Sequence, residues 1–370
     1  YRPSGGAPDA HQGDSPSRMT RLPTLRGRGV TPNPSNRFER ITLERDLSTL
    51  AEDPAPRTQF FKDSTRSIVA RNRSPDVGFD LSINPYRGCE HGCAYCYARP
   101  THEYLGLSAG LDFESKIFIK QDAPDLLQKE LSSPRWRPKL LALSGVTDPY
   151  QPVERTARVT RGCLEVLAEF RNPVMVITKN FLVTRDLDLL TDLASHQAVR
   201  VAISLTTLDC TLQRHLEPRT SSPTRRLEAI EQLTRAGVPV AVFLAPLIPG
   251  LNDHDIPSIL MAAAERGAKE ATCVPLRLPY GVKDLFLDWL DRHFPDRKEK
   301  IVNRILEMRG GRLNDPRLVS RMKGEGPMAT QVMQLFHVAR RKAGLDGPPV
   351  ELSTAAFRRP GDVIQMTLGF

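Results

Sequence analysis

Through the middle of the chain, short and nearly continuous runs of Val, Ile and Leu alternate with amphipathic stretches. Residues 79–83, followed by Asn84 and Pro85, read as a strand running into a turn. LLALSGV (140–146), VMVITK (174–179), VRVAISL (199–205), VPVAVFLAPL (238–247) and ATCVPLRLP (271–279) supply five more strands. Between them ARVTRGCLEVLAEF, RDLDLLTDLAS, TRRLEAIEQLTRAG and IPSILMAAAERG carry apolar residues at helical spacing. Apolar strands that alternate with such helices predict an α/β fold, its βα units built around a parallel sheet buried on both faces. Local signals set several helix ends: Thr184 can cap the helix after the third strand, Ser222 with Pro223 opens the next, and Gly237 follows its end.

The ends of the chain read differently. Residues 1–57 are rich in Pro, Gly, Ser and Arg without sustained apolar periodicity, which predicts a disordered basic tail. Beyond Tyr280 the segments DLFLDWLDRHF, EKIVNRILEMRG and ATQVMQLFHVARRKAG read as helices, and FRRPGDVIQMTLGF as an extended tail or strand. Residues 292–323 hold ten Lys or Arg against four Asp or Glu, so this part is locally basic. The expected organisation is a tail (1–57), one catalytic core (58–285) and a helical basic C-terminal extension (286–370).

With 370 residues and 40% hydrophobic positions, the chain suits a globular core, and no stretch approaches the roughly 18 uninterrupted apolar residues of a membrane span. The sequence opens without an initiator Met and without the apolar stretch of a secretory signal. A soluble protein of the cytoplasm is the expectation. A net charge of +9 favours polyanionic partners through counterion release, nucleic acid among them, and is equally compatible with a solvated basic surface.

Six cysteines are too few for a disulfide scaffold, and three of them, Cys89, Cys93 and Cys96, sit within eight positions. Such bunching suggests a metal site in a reducing compartment. Three residues separate the first pair and two the second, so the loop offers three thiolates. A four-iron four-sulfur cubane has four irons, and ordinary ferredoxins complete the ligand set with a fourth Cys. Here one iron would stay open, and an open iron can chelate the amino and carboxylate groups of S-adenosylmethionine (SAM) so that one electron can break its carbon-sulfur bond. Gly88 and Gly92 suit a loop that must curl closely. A zinc site would need His91 or His102 as a fourth ligand, and neither shows finger-type spacing. Tyr95 and Tyr97 also admit a plain packing role.

CxxxCxxC with an aromatic residue, Tyr95, before the last Cys resembles the signature of the radical SAM superfamily. The resemblance implies a partial (βα)6 TIM-like radical SAM barrel with a 4Fe-4S cluster at the C-terminal ends of its strands, SAM as cofactor, and an external electron donor of flavodoxin or ferredoxin type. The strings NPYRGCEHGCAYCYARPTHEY and SGVTDPYQPVE are similar to the spore photoproduct lyase branch over residues 60–280, closest to an uncharacterised bacterial subgroup. That likeness implies Tyr95 near the adenine, and Thr147 with Asp148 near the methionyl end of SAM. Asp148 can accept from an ammonium, Lys179 can pair with a carboxylate and Ser204 can bond a ribose hydroxyl. Each has an ordinary counterpart: Asp148 before Pro149 forms turns, Ser204 can be a satisfied core hydroxyl, and Lys179 can lie on the surface. The loop around Pro246 and Gly250 resembles the superfamily's adenine-contacting loop and also suits a plain turn.

One departure bears on the reaction. In that branch a Cys at the end of the second strand returns a hydrogen atom to repaired thymine, and Gly145 stands at that position. Cys163, Cys210 and Cys273 read as small core residues rather than substitutes. The leading expectation is an enzyme whose 5'-deoxyadenosyl radical abstracts hydrogen from a substrate, nucleic acid being the candidate class. Tyr150, Gln151 and Glu154 are the expected substrate contacts. The alternatives are a DNA photoproduct repair lyase, and a basic nucleic-acid-binding protein whose cluster is structural or redox-sensing.

Overall fold

The computed structural model describes residues 25–38 and 57–361. Six parallel strands stand side by side in chain order: β1 (Leu81–Ile83), β2 (Leu141–Leu143), β3 (Val174–Thr178), β4 (Val199–Ser204), β5 (Val240–Leu247) and β6 (Glu270–Pro275). They are the six runs expected from the pattern, trimmed at their ends. A short antiparallel strand, Val69–Arg71, borders β1 and leaves the barrel open against β6. Pairing in register sets Leu141 opposite Val174, Val174 opposite Val199 and Val201 opposite Val240.

Helices cover the outer face, as parallel strands joined by crossovers require. They are α1 (Ala123–Ser132), α2 (Val159–Phe170), α3 (Leu187–Ser195), α4 (Pro223–Arg235) and α5 (Ile256–Glu265). In α2 the buried stripe is Cys163, Leu164, Leu167 and Phe170; in α4 it is Ala229, Ile230 and Leu233. These side chains meet Val176, Val201, Ile203 and Val242 of the sheet in one apolar core. The Ser222 hydroxyl accepts from the Arg225 N–H at 3.3 Å, Pro223 opens α4, and Gly237 takes φ +80° past its end. The expected Thr184 cap does not form. Asn180 caps a short 3-10 turn there by accepting from Leu182 N, and the Thr184 hydroxyl donates back to Phe181 O.

Between β1 and α1 a long insertion, residues 84–122, carries the cysteine loop. Behind it lies a small sheet in which Gln59–Lys62 runs parallel to Lys116–Ile119, itself antiparallel to Tyr86–Arg87.

Beyond β6 come α6 (Val282–His293), α7 (Pro295–Met308) and α8 (Gly326–Lys342). They are not a separate appendage. Val332, Phe336 and Ala339 of α8 join the barrel core, while Phe286, Trp289, Ile301 and Ile305 share a second core with Cys93 and Tyr95. The terminal stretch stays irregular as far as residue 361, with the Arg358 N–H donating to Phe170 O and the Arg359 guanidinium to Trp136 O.

The tail expected over residues 1–57 is corrected in part. Residues 1–24 and 39–56 lie outside the described residues, but residues 25–38 are seated against the cysteine loop. The reason is polar satisfaction: Gly29 N and Val30 N donate to the Glu114 carboxylate, and the Asn36 amide donates to Glu103 O at 2.9 Å and Leu107 O at 3.1 Å. Few apolar residues are needed when a buried acceptor awaits the backbone.

Because the Phe336 ring is 2% exposed in the shared core, Phe336→Ala is expected to cost about 3–5 kcal/mol in urea unfolding. Leu335→Ala on the outer side of α8 should stay within about 0.5 kcal/mol. Equal, small losses at both positions would separate α8 from the barrel core.

Candidate active site

The loops that leave the C-terminal ends of the barrel strands converge on the insertion that follows β1. Cys89 and Cys93 are buried and Cys96 is half-buried within one loop of that insertion. Gly88 and Gly92 both take positive φ, +77° and +65°. Neither has room for a side chain: a Cβ would stand 2.8 Å from Phe113 O at Gly88 and 2.2 Å from the Glu114 carboxylate at Gly92. Curling was expected; the wall that demands it is the segment around Phe113 and Glu114.

The loop hangs on a buried guanidinium. Arg99, fully buried, donates to Cys93 O at 3.0 and 3.1 Å, Gly92 O at 3.2 Å, Gly110 O at 2.8 Å and Ala109 O at 3.3 Å, and pairs with Glu114 at 3.2 Å. Glu114 is fully buried too and spends its other capacity on Gly29 N and Val30 N. From the barrel side Thr147 Oγ1 donates to Gly88 O at 2.8 Å, and the Gln151 amide donates to the same carbonyl while accepting from Glu90 N.

His91 is buried with both ring nitrogens engaged, Nδ1 at 3.4 Å from Asp148 and Nε2 at 3.1 Å from the Asn180 amide nitrogen. Asn180 Oδ1 accepts from Leu182 N and the Ser221 hydroxyl, which fixes its NH2 toward the imidazole. Burial opposes a charged ring, but Asp148 and the Cys89 thiol favour one and raise the imidazole to about 10.

A second buried charge centre lies across the mouth. Glu217, fully buried, accepts from the hydroxyls of Tyr95 and Thr206 and pairs with Arg226 and with Lys179, the last at 3.1 Å. Burial alone would raise its carboxyl, yet Arg226 and Lys179 hold it well below the usual range. Burial also lifts the Tyr95 phenol far above its ordinary value, with Cys93 and Glu217 adding to the effect, so it stays a donor. Burial likewise raises the thiols of Cys93 and Cys96, the latter to about 11.

All five residues expected around SAM therefore lie in one neighbourhood, with partners the sequence did not disclose. Asp148 accepts from Thr178 Oγ1 at 2.7 Å, Lys179 N at 2.8 Å and Tyr150 N at 2.9 Å besides His91, so its oxygens are already committed to the fold. The Lys179 ammonium is neutralised by Glu217 and donates to Ala245 O at 3.0 Å. Thr147 braces Gly88, Tyr95 leans on Glu217, and Ser204 ends β4 buried, its carbonyl taken by Arg226.

The substrate contacts proposed from sequence are corrected. Tyr150, Gln151 and Glu154 are fully buried. Tyr150 OH donates to Asp186, and Glu154 accepts from Tyr86 OH, Thr160 N and the Arg185 guanidinium. They are internal braces. Arg99, Glu114, Glu217 and Arg226 escaped notice, because single charges within mixed sequence carry no periodic signal. An Arg three positions past the last Cys of a loop bound for the interior was the one available hint.

Removing the guanidinium in Arg99→Met should cost about 3–5 kcal/mol, because Glu114 is left buried without its cation. Hydrogen exchange should quicken at residues 25–38 and 88–99 before the barrel strands; uniform quickening would contradict the bracing role. For Glu217→Gln the sign follows from the lowered carboxyl. Its stabilising share is complete above the ordinary Glu value of about 4.3 and is lost as pH falls toward the lower native value. The stability gap between wild type and Glu217→Gln should therefore narrow below about pH 4.3 in denaturant titrations, and a pH-independent gap would contradict the ion-pair account.

Comparison with known proteins gives this mouth its context. The family model described as the radical SAM superfamily matches residues 83–263. The uncharacterised protein Rv2578c of Mycobacterium tuberculosis is 37% identical over 232 residues, 61% of this chain and 68% of that one. The uncharacterised protein MJ0683 of Methanocaldococcus jannaschii is 29% identical over 176 residues, covering 48% of this chain and 63% of its own. Among solved structures, a cysteine-to-serine mutant of spore photoproduct lyase superposes with TM-score 0.54 at 16% identity, over 76% of this chain and 79% of that chain, a likeness of fold. The chain belongs to the radical SAM superfamily, and the superfamily's cofactors, a 4Fe-4S cluster and SAM, are its own.

Proposed function

We propose that Cys89, Cys93 and Cys96 hold the cluster through three of its irons and that the protein abstracts hydrogen from a nucleic-acid substrate. When bound, the cluster and SAM supply a 5'-deoxyadenosyl radical through one-electron cleavage of the sulfonium. The chain's residues do the rest. Arg99 and Glu114 fix the loop that presents the thiols, and His91, with its ring nitrogens turned to Asp148 and Asn180, is withheld from the metal. That withholding is the observation that carries the reading, since it leaves the loop three ligands instead of four.

Tyr95, Thr147, Asp148, Lys179 and Ser204 are proposed to line the SAM side of the mouth. Asp148 acts there through the Lys179 and Tyr150 backbone that it holds. The working unit on this reading is the barrel of residues 58–285, closed by residues 25–38 and by α6 to α8.

The choice of nucleic acid rests on the rim. Tyr104, Tyr280 and Phe38 are 72%, 62% and 58% exposed, and the Arg37 guanidinium lies 4.0 Å from the Tyr280 ring centre and 4.6 Å from that of Phe38. Arg277 lies over Tyr97, the residue after Cys96, and its Nε is buried without a partner. Exposed rings flanked by guanidinium groups suit unpaired bases and their phosphates. Gly145 offers no thiol, and the Tyr97 hydroxyl donates to its carbonyl at 2.5 Å, so the reading does not extend to thymine-dimer repair.

Anaerobically reconstituted protein given SAM and dithionite should release 5'-deoxyadenosine. Cys93→Ala should abolish release, and Cys163→Ala, buried within α2, should leave it intact. An intact cluster spectrum without 5'-deoxyadenosine would favour the binding-protein alternative. Tyr280→Ala should weaken binding of a labelled single-stranded oligonucleotide by about 5- to 150-fold, the range for one lost base stack.

A further inference from the structure

The strand Gln59–Lys62 is exposed along its whole length among the described residues, although it carries two adjacent phenylalanines. Phe60 is 49% exposed and Phe61 40%. An exposed apolar edge strand is a liability that folds usually blunt, so its retention calls for a partner.

Two further observations indicate which partner. First, rings connect this face to a cluster cysteine. Phe61 stacks on Phe118 with ring centres 5.1 Å apart, Phe118 meets the edge of His102 at 6.1 Å, and His102 meets Phe113 at 5.4 Å. Phe113 packs with Cys89, and its carbonyl accepts from Cys89 N at 2.9 Å. The small sheet thus stands between Cys89 and the outside, with these rings as the contacts across it. His102 does not add charge to this wall, because burial lowers its imidazole to about 4.

Second, the face is ringed by cations. Thr58 Oγ1 accepts from both Arg28, at 3.3 Å, and Arg219, at 3.1 Å, and Arg57 and Lys62 flank the two rings. Of the carboxylates nearby, Glu90, Glu114 and Asp63 are buried and engaged, Glu90 by Arg219 and Asp63 by Arg87, and Asp122 is the exposed one, paired with Lys62 at 3.2 Å. An apolar centre with a basic surround fits a small, transient electron-transfer contact with an acidic protein.

We propose that the face built on Gln59–Lys62 is the docking surface for an acidic one-electron carrier of the flavodoxin type, and that its electron enters through the small sheet at Cys89. This rests on the cluster-binding reading above. In the step one electron leaves the carrier, which is oxidised by one, and reaches the cluster, which is reduced by one; no bond of the chain forms or breaks. Entry from behind leaves the barrel mouth free for SAM and substrate.

The test uses the full chain, anaerobically loaded with cluster, and a fully reduced flavodoxin as probe. Bleaching of the cluster absorbance is followed by stopped flow, with dithionite as the parallel reductant. Phe60→Glu and Lys62→Glu should each slow reduction by flavodoxin about tenfold or more and leave reduction by dithionite unchanged, and added salt should slow the wild type toward the variants. The unloaded protein should bind oxidised flavodoxin in calorimetry and lose that binding in both variants.

Unchanged flavodoxin rates in the variants would overturn the proposal, as would a wild type that flavodoxin cannot reduce although dithionite does. If the face instead joins two copies of the chain, Phe60→Glu should convert a dimer to a monomer in sedimentation with no loss of flavodoxin rate, which also overturns it. Failure of the cluster-binding reading is separate: neither reductant would then bleach a cluster held by this loop.

Discussion

A guanidinium and a carboxylate, both shut away from water, hold the cysteine loop in place. Taking Arg99 and Glu114 out of solvent costs several kcal/mol each, and their mutual attraction offsets this only if the remaining donors and acceptors are filled. They are filled, by four carbonyls on one side and two backbone N–H groups on the other. A hydrophobic pair of the same volume would pack as well but could not direct the carbonyls of Gly92 and Cys93 inward.

Across the mouth Glu217 repeats the device. One buried carboxylate gathers Tyr95, Thr206, Lys179 and Arg226, residues that arrive from the cysteine loop, β3, β4 and α4. The two centres divide the work with the apolar core. Valines and isoleucines of the sheet decide that a barrel forms, and the buried ions decide how its loops stand relative to one another. Directional donors can specify such a register where nondirectional burial cannot.

That division explains what the sequence disclosed. All six barrel strands were legible because runs such as VMVITK and VRVAISL are short, apolar on both faces and bounded by turn residues. The three cysteines stood out by spacing alone, and the structure keeps them in one loop. Thr184 failed as a cap because Asn180, four residues earlier, took the turn instead, a competition between two good capping residues that local pattern does not settle. Tyr150, Gln151 and Glu154 were misjudged for a different reason. Polar residues just past a strand end commonly face a ligand, but here α2 and the 3-10 turn after β3 close over them. Glu217 lies 122 residues from Tyr95, and nothing in either neighbourhood announces the other.

The seat of Gly29 constrains the order in which the molecule comes together. A Cβ there would stand 1.5 Å from Gly92 O, so the two backbones touch with nothing between them. The segment that contains Gly29 leaves the ribosome well before its acceptor, Glu114, which lies 85 residues downstream and is itself held by Arg99. Closing so long a loop returns nothing until the distant surface exists. This early segment is therefore among the last to settle, and until it does the Gly92 side of the cysteine loop lies uncovered.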